Sequence, residues 1–494
     1  MGSGHEAASA VREILDGYLK RAVKPAVLEP GLAPLELTPG CYALHESKGA
    51  LRLEVWDDAR QWSRRIRGAK EGKHGLELDA ERFPARTVRL ELVDLDHPRS
   101  ETPLRRSGRE TGRERFRTML RRQYPGWKLS EISAAPDLEH TLSAEYPRAL
   151  LRKGQEGVAA VLGGMEADGT LTAALLWLDY LRERERSLRV GALALFLPAE
   201  ALGPACLLLK ALDGRLARFA VFATDAGGET QVDPRDYGNL ASELPRAPAA
   251  PQLPEWLQPL ARYEAVEAVP SAGEASFRIR GLEFARWDGA GLWCGVEKKE
   301  RVRTLAPAAE WAERLEPVRR EGSIRKDHAW FRRAPEAWLE ALVRADVSAL
   351  DAALEPQPVY GQVEAREGLG AGIVDLLARD RDGRLAVIEL KASEDPRLPM
   401  QALDYWVRIA RHAEAGSFAA QGYFPGQRLQ SAPPRLLLAA PALAFHPTTE
   451  KLLRYVDPRV EVERIGLGLE WRRVLRVVFR VRGAARPEWS GAPS

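Results

Sequence analysis

The chain has 494 residues, which at roughly 150 residues per domain predicts about three domains. Its composition, 45% hydrophobic and 29% charged, is that of a globular protein. The near balance of 73 Lys and Arg against 70 Asp and Glu excludes a histone-like polycation and leaves room for a local basic face that binds nucleic acid. The three cysteines lie far apart and form no CxxC pair, which excludes a disulfide framework and a zinc knuckle.

The N-terminal region, residues 1–100, is predicted to be rich in β-strands. The segments ALRLEVW and TVRLELVDL alternate apolar and polar residues, as half-buried strands do. The first residues lack the long apolar core of a secretory signal, and no segment approaches the ~20 apolar residues of a transmembrane helix. We therefore expect a cytoplasmic protein with no membrane partner.

An α/β domain is predicted over residues 101–243. An amphipathic helix over residues 111–123 places Phe116 and Leu120 on one face. Residues 158–225 then alternate strand-like and helix-like segments, beginning with VAAVLGG and LTAALLWLDYLRERE. Such alternation favours an α/β layer.

A linker and two further domains are predicted for the rest of the chain. Residues 244–260 are rich in proline and predict an extended connector. Residues 261–330 predict a small β module followed by a charged helical connector. Residues 331–494 again mix helices and strands, so the predicted fold class is multidomain α/β.

The segment GIVDLLARDRDGRLAVIELK carries the most informative pattern. Side chains alternate across a strand, so Glu389 and Lys391 lie on one face of an otherwise apolar strand. The preceding strand carries Asp375, and a turn at Arg381-Asp382-Gly383 predicts an antiparallel hairpin that brings Asp375 beside Glu389. Carboxylates in an apolar strand are costly unless they are paired or bind a metal ion. Oxygen donors suit Mg²⁺ or Mn²⁺.

This arrangement resembles the PD-(D/E)xK nuclease superfamily. Its core motif has a counterpart in Asp375 followed by Glu389-Leu390-Lys391. The chain departs from the family pattern before the aspartate, where Ile373 and Val374 replace a frequent proline or small turn residue. The resemblance covers residues 331–415 and implies a restriction-endonuclease-like core, a mixed sheet flanked by helices.

Further residues of this segment are similar to family signatures. Gln401 and Tyr405 resemble the QxxxY signature of the RecB-like branch. In the upstream helix, Glu340 lies where these nucleases place an acidic residue, with Glu336 as the competing choice. The strand VEARE, which contains Glu364, is similar to the arrangement in bacterial archaeo-eukaryotic-type mismatch endonucleases.

The resemblance implies a role for each of these positions. Asp375 and Glu389, with the backbone carbonyl of Leu390, would hold Mg²⁺ or Mn²⁺, and Glu340 is a further expected metal ligand. Lys391 would position the nucleophile or stabilise developing negative charge. The remaining expected catalytic residues, Gln401 and Tyr405, would orient Lys391 or the DNA backbone.

Two basic stretches predict contacts with nucleic-acid phosphates. We expect Arg113, Arg117 and Arg121 to contribute from the first stretch, and Arg472, Arg473 and Arg476 from the second. A solvated charged face is the alternative interpretation of both.

The α/β domain is also interpreted as a degenerate copy of the nuclease-like domain. In the order of elements, the segment VAAVLGG occupies the position of LAVIELK, and Leu178-Asp179-Tyr180 matches Leu403-Asp404-Tyr405. In this copy Gly163-Gly164-Met165 replaces the acidic residue and lysine. Generic α/β alternation is the alternative.

The predicted function is a metal-dependent nuclease that hydrolyses phosphodiester bonds, with DNA favoured over RNA, in repair or defence. The alternatives are a catalytically silent nucleic-acid-binding or assembly protein and a metal-dependent enzyme acting on a small phosphorylated substrate. A homodimer through the strand VLRVVFRV is one expected assembly. Since the chain shows no motor motif, a helicase or another repair or defence protein is the other expected partner.

Overall fold

A computed structural model describes residues 2–29, 34–47, 50–56, 61–82, 86–97, 101–225, 227–236, 240–249, 253–271, 274–367 and 370–485. It confirms the α/β class, because helices accompany several sheets, some of them mixed. The chain forms two compact units, Met1–Leu162 and Gly163–Ser494. Within the described residues, no helix is both long and apolar enough to cross a bilayer.

The first unit begins with a helix and a seven-stranded antiparallel sheet. The elements are α1 (Gly2–Arg21), β1 (Pro25–Leu28), β2 (Leu35–Glu36), β3 (Tyr42–Ser47), β4 (Ala50–Trp56), β5 (Gln61–Glu71), β6 (Leu76–Arg82) and β7 (Arg86–Asp94). The strands lie in the order β2-β1-β7-β6-β5-β4-β3. Alternate residues of β4, among them Leu51 and Leu53, are buried in the core that Leu15 of α1 completes.

A second group of elements completes this unit. It contains α2 (Glu101–Gln123), β8 (Lys128–Ser133), β9 (Arg148–Lys153) and β10 (Glu156–Leu162). β8 and β10 each pair antiparallel with β9. α2 is ten residues longer at its N-terminus than the predicted helix, and Phe116 and Leu120 are buried as expected.

The second unit opens with alternating helices and strands. They are α3 (Ala167–Arg184), β11 (Arg189–Pro198), α4 (Ala199–Lys210), β12 (Arg218–Thr224), β13 (Glu229–Val232) and β14 (Ser242–Glu243). β11 and β12 are parallel, and β13 pairs antiparallel with β12.

A small antiparallel sheet follows. Its elements are α5 (Gln258–Ala261), β15 (Glu267–Ser271), β16 (Glu274–Ile279), β17 (Leu282–Trp287), β18 (Leu292–Cys294), β19 (Glu300–Val302), α6 (Ala306–Arg319) and α7 (Ala329–Arg332). Each strand pairs with the next. The β16–β17 turn consists of Arg280 and Gly281, both with positive φ (47° and 75°), as a two-residue type I′ turn requires.

The C-terminal part forms a mixed seven-stranded sheet with helices. Its elements are α8 (Pro335–Ala345), β20 (Tyr360–Glu367), β21 (Gly370–Arg379), β22 (Leu385–Leu390), α9 (Leu398–Glu414), α10 (Ser417–Ala420), β23 (Arg435–Pro441), α11 (Thr449–Leu453), β24 (Val462–Leu467) and β25 (Val477–Arg482). The order is β14-β20-β21-β22-β23-β24-β25, with β22, β23 and β24 parallel. Every residue of β22 and β24 is buried, as is typical of parallel strands covered on both faces.

Arg319, at the end of α6, joins the small sheet to α8. Its side chain is completely buried and donates hydrogen bonds to the carbonyls of Ile279 and Arg280 in the β16–β17 turn, and of Trp330 and Arg333 before α8. The guanidinium also lies 4.3 Å from the ring centroid of Trp338. The turn packs so closely on α8 that a Cβ at Gly281 would lie 2.0 Å from the carbonyl oxygen of Ala337. The position of α8 therefore depends on this arginine.

Arg319→Met is expected to lower the free energy of unfolding by about 3 kcal/mol or more, because it leaves several buried carbonyls without a donor. Chemical denaturation followed by tryptophan fluorescence measures the change. The neighbouring exposed residue supplies a matched control, since Arg320→Met should shift the same quantity by no more than about 0.5 kcal/mol. Equal effects of the two substitutions would contradict this role for Arg319.

Candidate active site

The β21–β22 hairpin places the two carboxylates of the motif side by side. Leu376 pairs with Ile388, so the same antiparallel register sets Asp375 opposite Glu389. Asp375 Oδ2 also accepts a hydrogen bond of 2.9 Å from the backbone N–H of Leu390. Ile388 packs in the core beneath α8, and alternation turns Glu389 to the opposite face, which α9 covers.

The carboxylate of Glu389 is the most deeply buried charged group of the site. Its side chain is 1% exposed, and its Oε1 lies 3.5 Å from Nζ of Lys391. Its Oε2 is buried and accepts no hydrogen bond in the described structure. An unsatisfied carboxylate oxygen in an apolar sheet is energetically costly. Buried polar atoms normally have a partner, so a positively charged partner is expected for this oxygen.

The pKa values of Glu389, Asp375 and Lys391 reflect this crowding of charges. Burial raises the pKa of Glu389 well above its usual value, and the charge of Asp375 raises it further. Burial also raises the pKa of Asp375, although the Leu390 N–H and Lys391 oppose the shift. Burial lowers the pKa of Lys391, but the surrounding carboxylates outweigh that effect and leave it raised. Lys391 is therefore a cation at neutral pH.

The donor set fits a divalent cation. Asp375 and Glu389 supply hard oxygen donors, and the unpartnered Oε2 of Glu389 is the kind of atom that a metal ion satisfies. The described residues contain no group of three or more acidic, histidine or cysteine side chains placed to bind a metal together. Mg²⁺ does not require one, because it is commonly held by one or two carboxylates and retains several water molecules.

Glu340 is connected to Asp375 through a residue that the sequence did not indicate. Oε2 of Glu340 accepts a 3.0 Å hydrogen bond from Nε2 of Gln362, and the same nitrogen lies 3.5 Å from Oδ1 of Asp375. Gln362 has a φ of 54°, a left-handed conformation that is uncommon for a residue other than glycine and occurs frequently at functional sites. The amide of Gln362 therefore fixes both carboxylates.

Arg344 occupies the other side of Glu340. Its guanidinium lies 3.3 Å from Oε1 of Glu340 and 2.7 Å from Oε2 of Glu267. A Cβ on Gly361 would lie 2.8 Å from Glu340 Oε1, so the lack of a side chain there permits the contact. A cleft of about 770 Å³ borders this group and is also lined by Arg280. Glu340, the predicted further metal ligand, therefore has both carboxylate oxygens in hydrogen bonds, one with Arg344 and one with Gln362.

Glu336, one helical turn before Glu340, is the second acid of α8 that faces the site. It is exposed, and its negative charge raises the pKa of Asp375, Glu389 and Lys391 alike. Glu340, in contrast, is buried. Of the two, Glu336 is the acid available to solvent and to an incoming ion.

Gln401 and Tyr405 lie together on α9, as their spacing requires. Nε2 of Gln401 donates a 2.9 Å hydrogen bond to the hydroxyl of Tyr405. Burial raises the pKa of Tyr405, and the charges of Glu389 and Asp375 add to the shift, so the phenol stays neutral. Tyr405 packs directly on β21, since a Cβ on Gly372 would lie 2.9 Å from its ring.

The predicted phosphate-binding arginines have different environments. On α2, in the first unit, Arg113 and Arg117 each lie 3.5 Å from a carboxylate oxygen of Glu114, and Arg121 is exposed. In the second unit, Arg472 is half-buried, with its guanidinium 4.3 Å from the ring of Trp471 and also over Phe331 and Trp338. Arg473 and Arg476 are exposed.

Comparison of the chain with protein-family models and with curated proteins finds no match. The side chains of the site are therefore the basis for inferring a function, because a fold class by itself does not define one.

Glu389→Gln is expected to stabilise the metal-free protein at pH 8 by about 1–2 kcal/mol. The folded-state pKa of Glu389 is raised, so the native state binds more protons than the unfolded state above about pH 4, the ordinary pKa of glutamate. Wild-type stability therefore falls as pH rises through this window, whereas the glutamine does not titrate. The advantage of the variant should be absent below about pH 4 and grow towards pH 8.

Denaturation with a chelator present, repeated across this pH range, measures the effect. Glu461→Gln is the control, because Glu461 is exposed, lies immediately before β24 and pairs with Arg384. A Glu389→Gln protein less stable than wild type at pH 8 would show that the carboxylate is satisfied in some other way.

Proposed function

We propose that the chain is a metal-dependent nuclease that hydrolyses phosphodiester bonds of nucleic acid, with DNA preferred to RNA. The observation that carries this proposal is the buried, unpartnered carboxylate oxygen of Glu389, placed beside Asp375 and next to the charged Lys391. Two carboxylates and one lysine at the end of an apolar hairpin can together support metal-dependent hydrolysis of a phosphodiester. The two carboxylates would hold the ion, and the lysine would balance the negative charge that develops on the phosphate.

Each side chain has a distinct part in the proposed reaction. Asp375 and Glu389 would hold Mg²⁺ or Mn²⁺, which supplies Lewis-acid polarisation of the scissile phosphate when it is bound. The Leu390 N–H and the Gln362 amide keep the Asp375 carboxylate in place. Lys391 brings a fixed positive charge to the phosphate and the attacking water.

The other positions of the motif orient these groups. The Gln401–Tyr405 pair presents a neutral hydroxyl close to both carboxylates, suited to a hydrogen bond with Lys391 or with a phosphate oxygen. Glu336 is placed to add a solvent-accessible acid, which can contact an ion or orient water. The buried Glu340 holds Gln362, so its effect on the reaction is indirect.

A basic surface at one end of α8 supports a nucleic-acid substrate. The segment that follows α6 and the β24–β25 loop both begin near this end, because Arg319, the last residue of α6, and Arg472 of the β24–β25 loop both lie over the ring of Trp338. We call their exposed part the Trp338 surface. It consists of Arg320, Ile324, Arg325, Lys326, Leu469, Arg473, Val474 and Arg476.

The Trp338 surface combines positive charge with exposed apolar side chains. It contains five cations, and the acids among them are Glu321, Asp327 and Glu470. Ile324 is 93% exposed, Leu469 68% and Val474 54%. Cations that neutralise phosphates, with apolar groups that contact bases or sugars, match the chemistry of a nucleic acid better than that of a small phosphorylated molecule.

Asp375→Asn and Glu389→Gln should each abolish cleavage, with a loss of at least about 100-fold. The assay follows end-labelled single-stranded, double-stranded and branched DNA, and RNA, with Mg²⁺ or Mn²⁺. Glu461→Gln, which removes an exposed acid just before β24 and away from the motif, should cleave at the wild-type rate. Wild-type protein that binds these substrates and leaves them all intact with either metal would favour a silent binding protein instead.

Replacing Arg473 and Arg476 by alanine should reduce the salt dependence of nucleic-acid binding. Each lost phosphate contact lowers the slope of log K against log salt concentration by about 0.9 for duplex DNA. Fluorescence anisotropy across a salt series measures this slope. The same experiment with alanine at Arg113, Arg117 and Arg121 tests the first-unit stretch. If the slope for either set of substitutions equals that of the wild type, the arginines of that set are not part of the binding surface.

A further inference from the structure

We propose that the cleft between the small sheet and α8 is a second binding site, in which Arg280 holds a phosphate of one unpaired nucleic-acid strand. This inference rests on the proposed nuclease function, because it takes the strand in the cleft to be the substrate. It assigns the small sheet a part in substrate binding and names a single strand as the form of nucleic acid that is bound there.

The cleft lies directly beside the candidate active site. Its volume is about 770 Å³, and it lies between β15 of the small sheet, α8 and the start of β20. Gly361 of β20 forms part of its wall, and the amide nitrogen of the next residue, Gln362, is 3.5 Å from Oδ1 of Asp375. A strand that occupies the cleft is therefore close to the carboxylates of the site.

The cleft also borders the Trp338 surface. Arg320 is exposed as part of that surface and lines the cleft as well. All of these residues belong to the second compact unit. The cleft thus connects the basic surface that is proposed to bind nucleic acid with the carboxylates that are proposed to cut it. This continuity favours the substrate strand as the occupant.

Two arginines of the cleft are available to a ligand. Of the described residues, four arginines and three glutamates line it, so cations outnumber acids. Arg344 pairs with Glu267, and Arg319 donates its hydrogen bonds to backbone carbonyls. Within the described part of the chain, the side chains of Arg280 and Arg320 have neither an acidic partner nor a hydrogen bond.

The acids of the cleft leave these two cations available. Arg344 balances the charge of Glu267, and Oε2 of Glu316 accepts a hydrogen bond from the hydroxyl of Tyr263. The third acid, Glu264, is exposed. A guanidinium presents donors in a geometry that matches carboxylate and phosphate groups, and of these two only phosphate occurs in a nucleic acid.

Arg280 extends from a backbone that is fixed in a conformation uncommon for arginine. Its φ is 47°, in a two-residue turn where asparagine or glycine is preferred. Its carbonyl accepts a hydrogen bond from Arg319, and the next residue, Gly281, packs against the backbone of Ala337 in α8. Unfavourable conformations that the surroundings hold in place are frequent at ligand-binding sites.

The size of the cleft favours one strand over two. Its volume lies within the roughly 300–1,000 Å³ of pockets that enclose a drug-sized ligand, and a nucleotide is of that size. A duplex, with two backbones and paired bases, is far larger. Val269 of β15 and the two alanines of α8 that line the cleft, Ala341 and Ala345, add apolar wall against which an unpaired base or a sugar can pack.

Arg280→Asn tests this inference, because asparagine adopts a left-handed φ readily and its carbonyl still accepts from Arg319, so the turn should be retained. Fluorescence anisotropy of the full-length protein measures binding of an oligothymidylate and of a duplex of the same length, with a chelator present so that no strand is cut. The variant should bind the single strand at least about 10-fold more weakly, as expected for a lost charge-assisted hydrogen bond. Its slope of log K against log salt concentration should fall by about 0.7, and its affinity for the duplex should not change.

Arg303→Asn is the matched control, since Arg303 is an exposed arginine between β19 and α6 that does not line the cleft. It should bind both nucleic acids as the wild type does. If Arg280→Asn binds the single strand as tightly as this control, or loses the same affinity for the duplex, the inference is wrong. Thymidine monophosphate that binds as tightly as the oligothymidylate, and only when Arg280 is present, would make the cleft a site for free nucleotides and overturn its assignment to a strand.

Failure of this inference can be distinguished from failure of the proposed function. Cleavage of single-stranded DNA by the wild type, with unchanged single-strand binding by Arg280→Asn, would retain the nuclease and remove the cleft from the substrate site. Weaker single-strand binding by Arg280→Asn, in a protein that cuts no nucleic acid with Mg²⁺ or Mn²⁺, would refute the nuclease and leave the cleft as a binding site for an unpaired strand.

Discussion

The burial of the Glu389 carboxylate in an apolar sheet is the constraint on which the site depends. A side chain that is 1% exposed and has one carboxylate oxygen without a partner reduces stability unless a cation joins it. The neighbouring Asp375 increases the cost, because it brings a second negative charge to the same place. Natural proteins commonly tolerate such a cost at functional sites, and the burial of this carboxylate therefore supports the proposed metal site.

Several contacts in the surrounding structure hold these two carboxylates in position. The hairpin register aligns them, the Leu390 N–H and the Gln362 amide hold Asp375, and Glu340 holds Gln362. α8, which supplies Glu340, is itself fixed by Arg319 through four backbone carbonyls and the ring of Trp338. Local geometry at the carboxylates therefore depends on contacts that begin in the small sheet, far away in sequence.

The sequence was sufficient to predict those parts of the site that follow from local periodicity. Alternation along β22 places Glu389 and Lys391 on one face, the turn after β21 brings Asp375 opposite, and helical spacing brings Gln401 to Tyr405. The strands and helices between residues 158 and 225 have the predicted types for the same reason.

Features that depend on distant contacts or unusual backbone conformations were not predictable in this way. α1 lies in the region predicted to be rich in strands; its glycines lower its helix propensity, and burial of Leu15 against the sheet stabilises it. In the sequence Gln362 is indistinguishable from an ordinary strand residue. Its left-handed φ, which only the structure shows, is what distinguishes it. Arg472 reads as a surface cation, yet its guanidinium lies over three aromatic rings from separate segments.

Binding of a divalent cation by Asp375 and Glu389 together can be tested by anomalous diffraction from crystals soaked in Mn²⁺. We expect an anomalous peak between the two carboxylates in the wild type, and this peak should be absent from Glu389→Gln crystals treated identically. A wild-type crystal with no peak there, or with its strongest peak elsewhere in the chain, would contradict the assignment of a metal-dependent site to this hairpin.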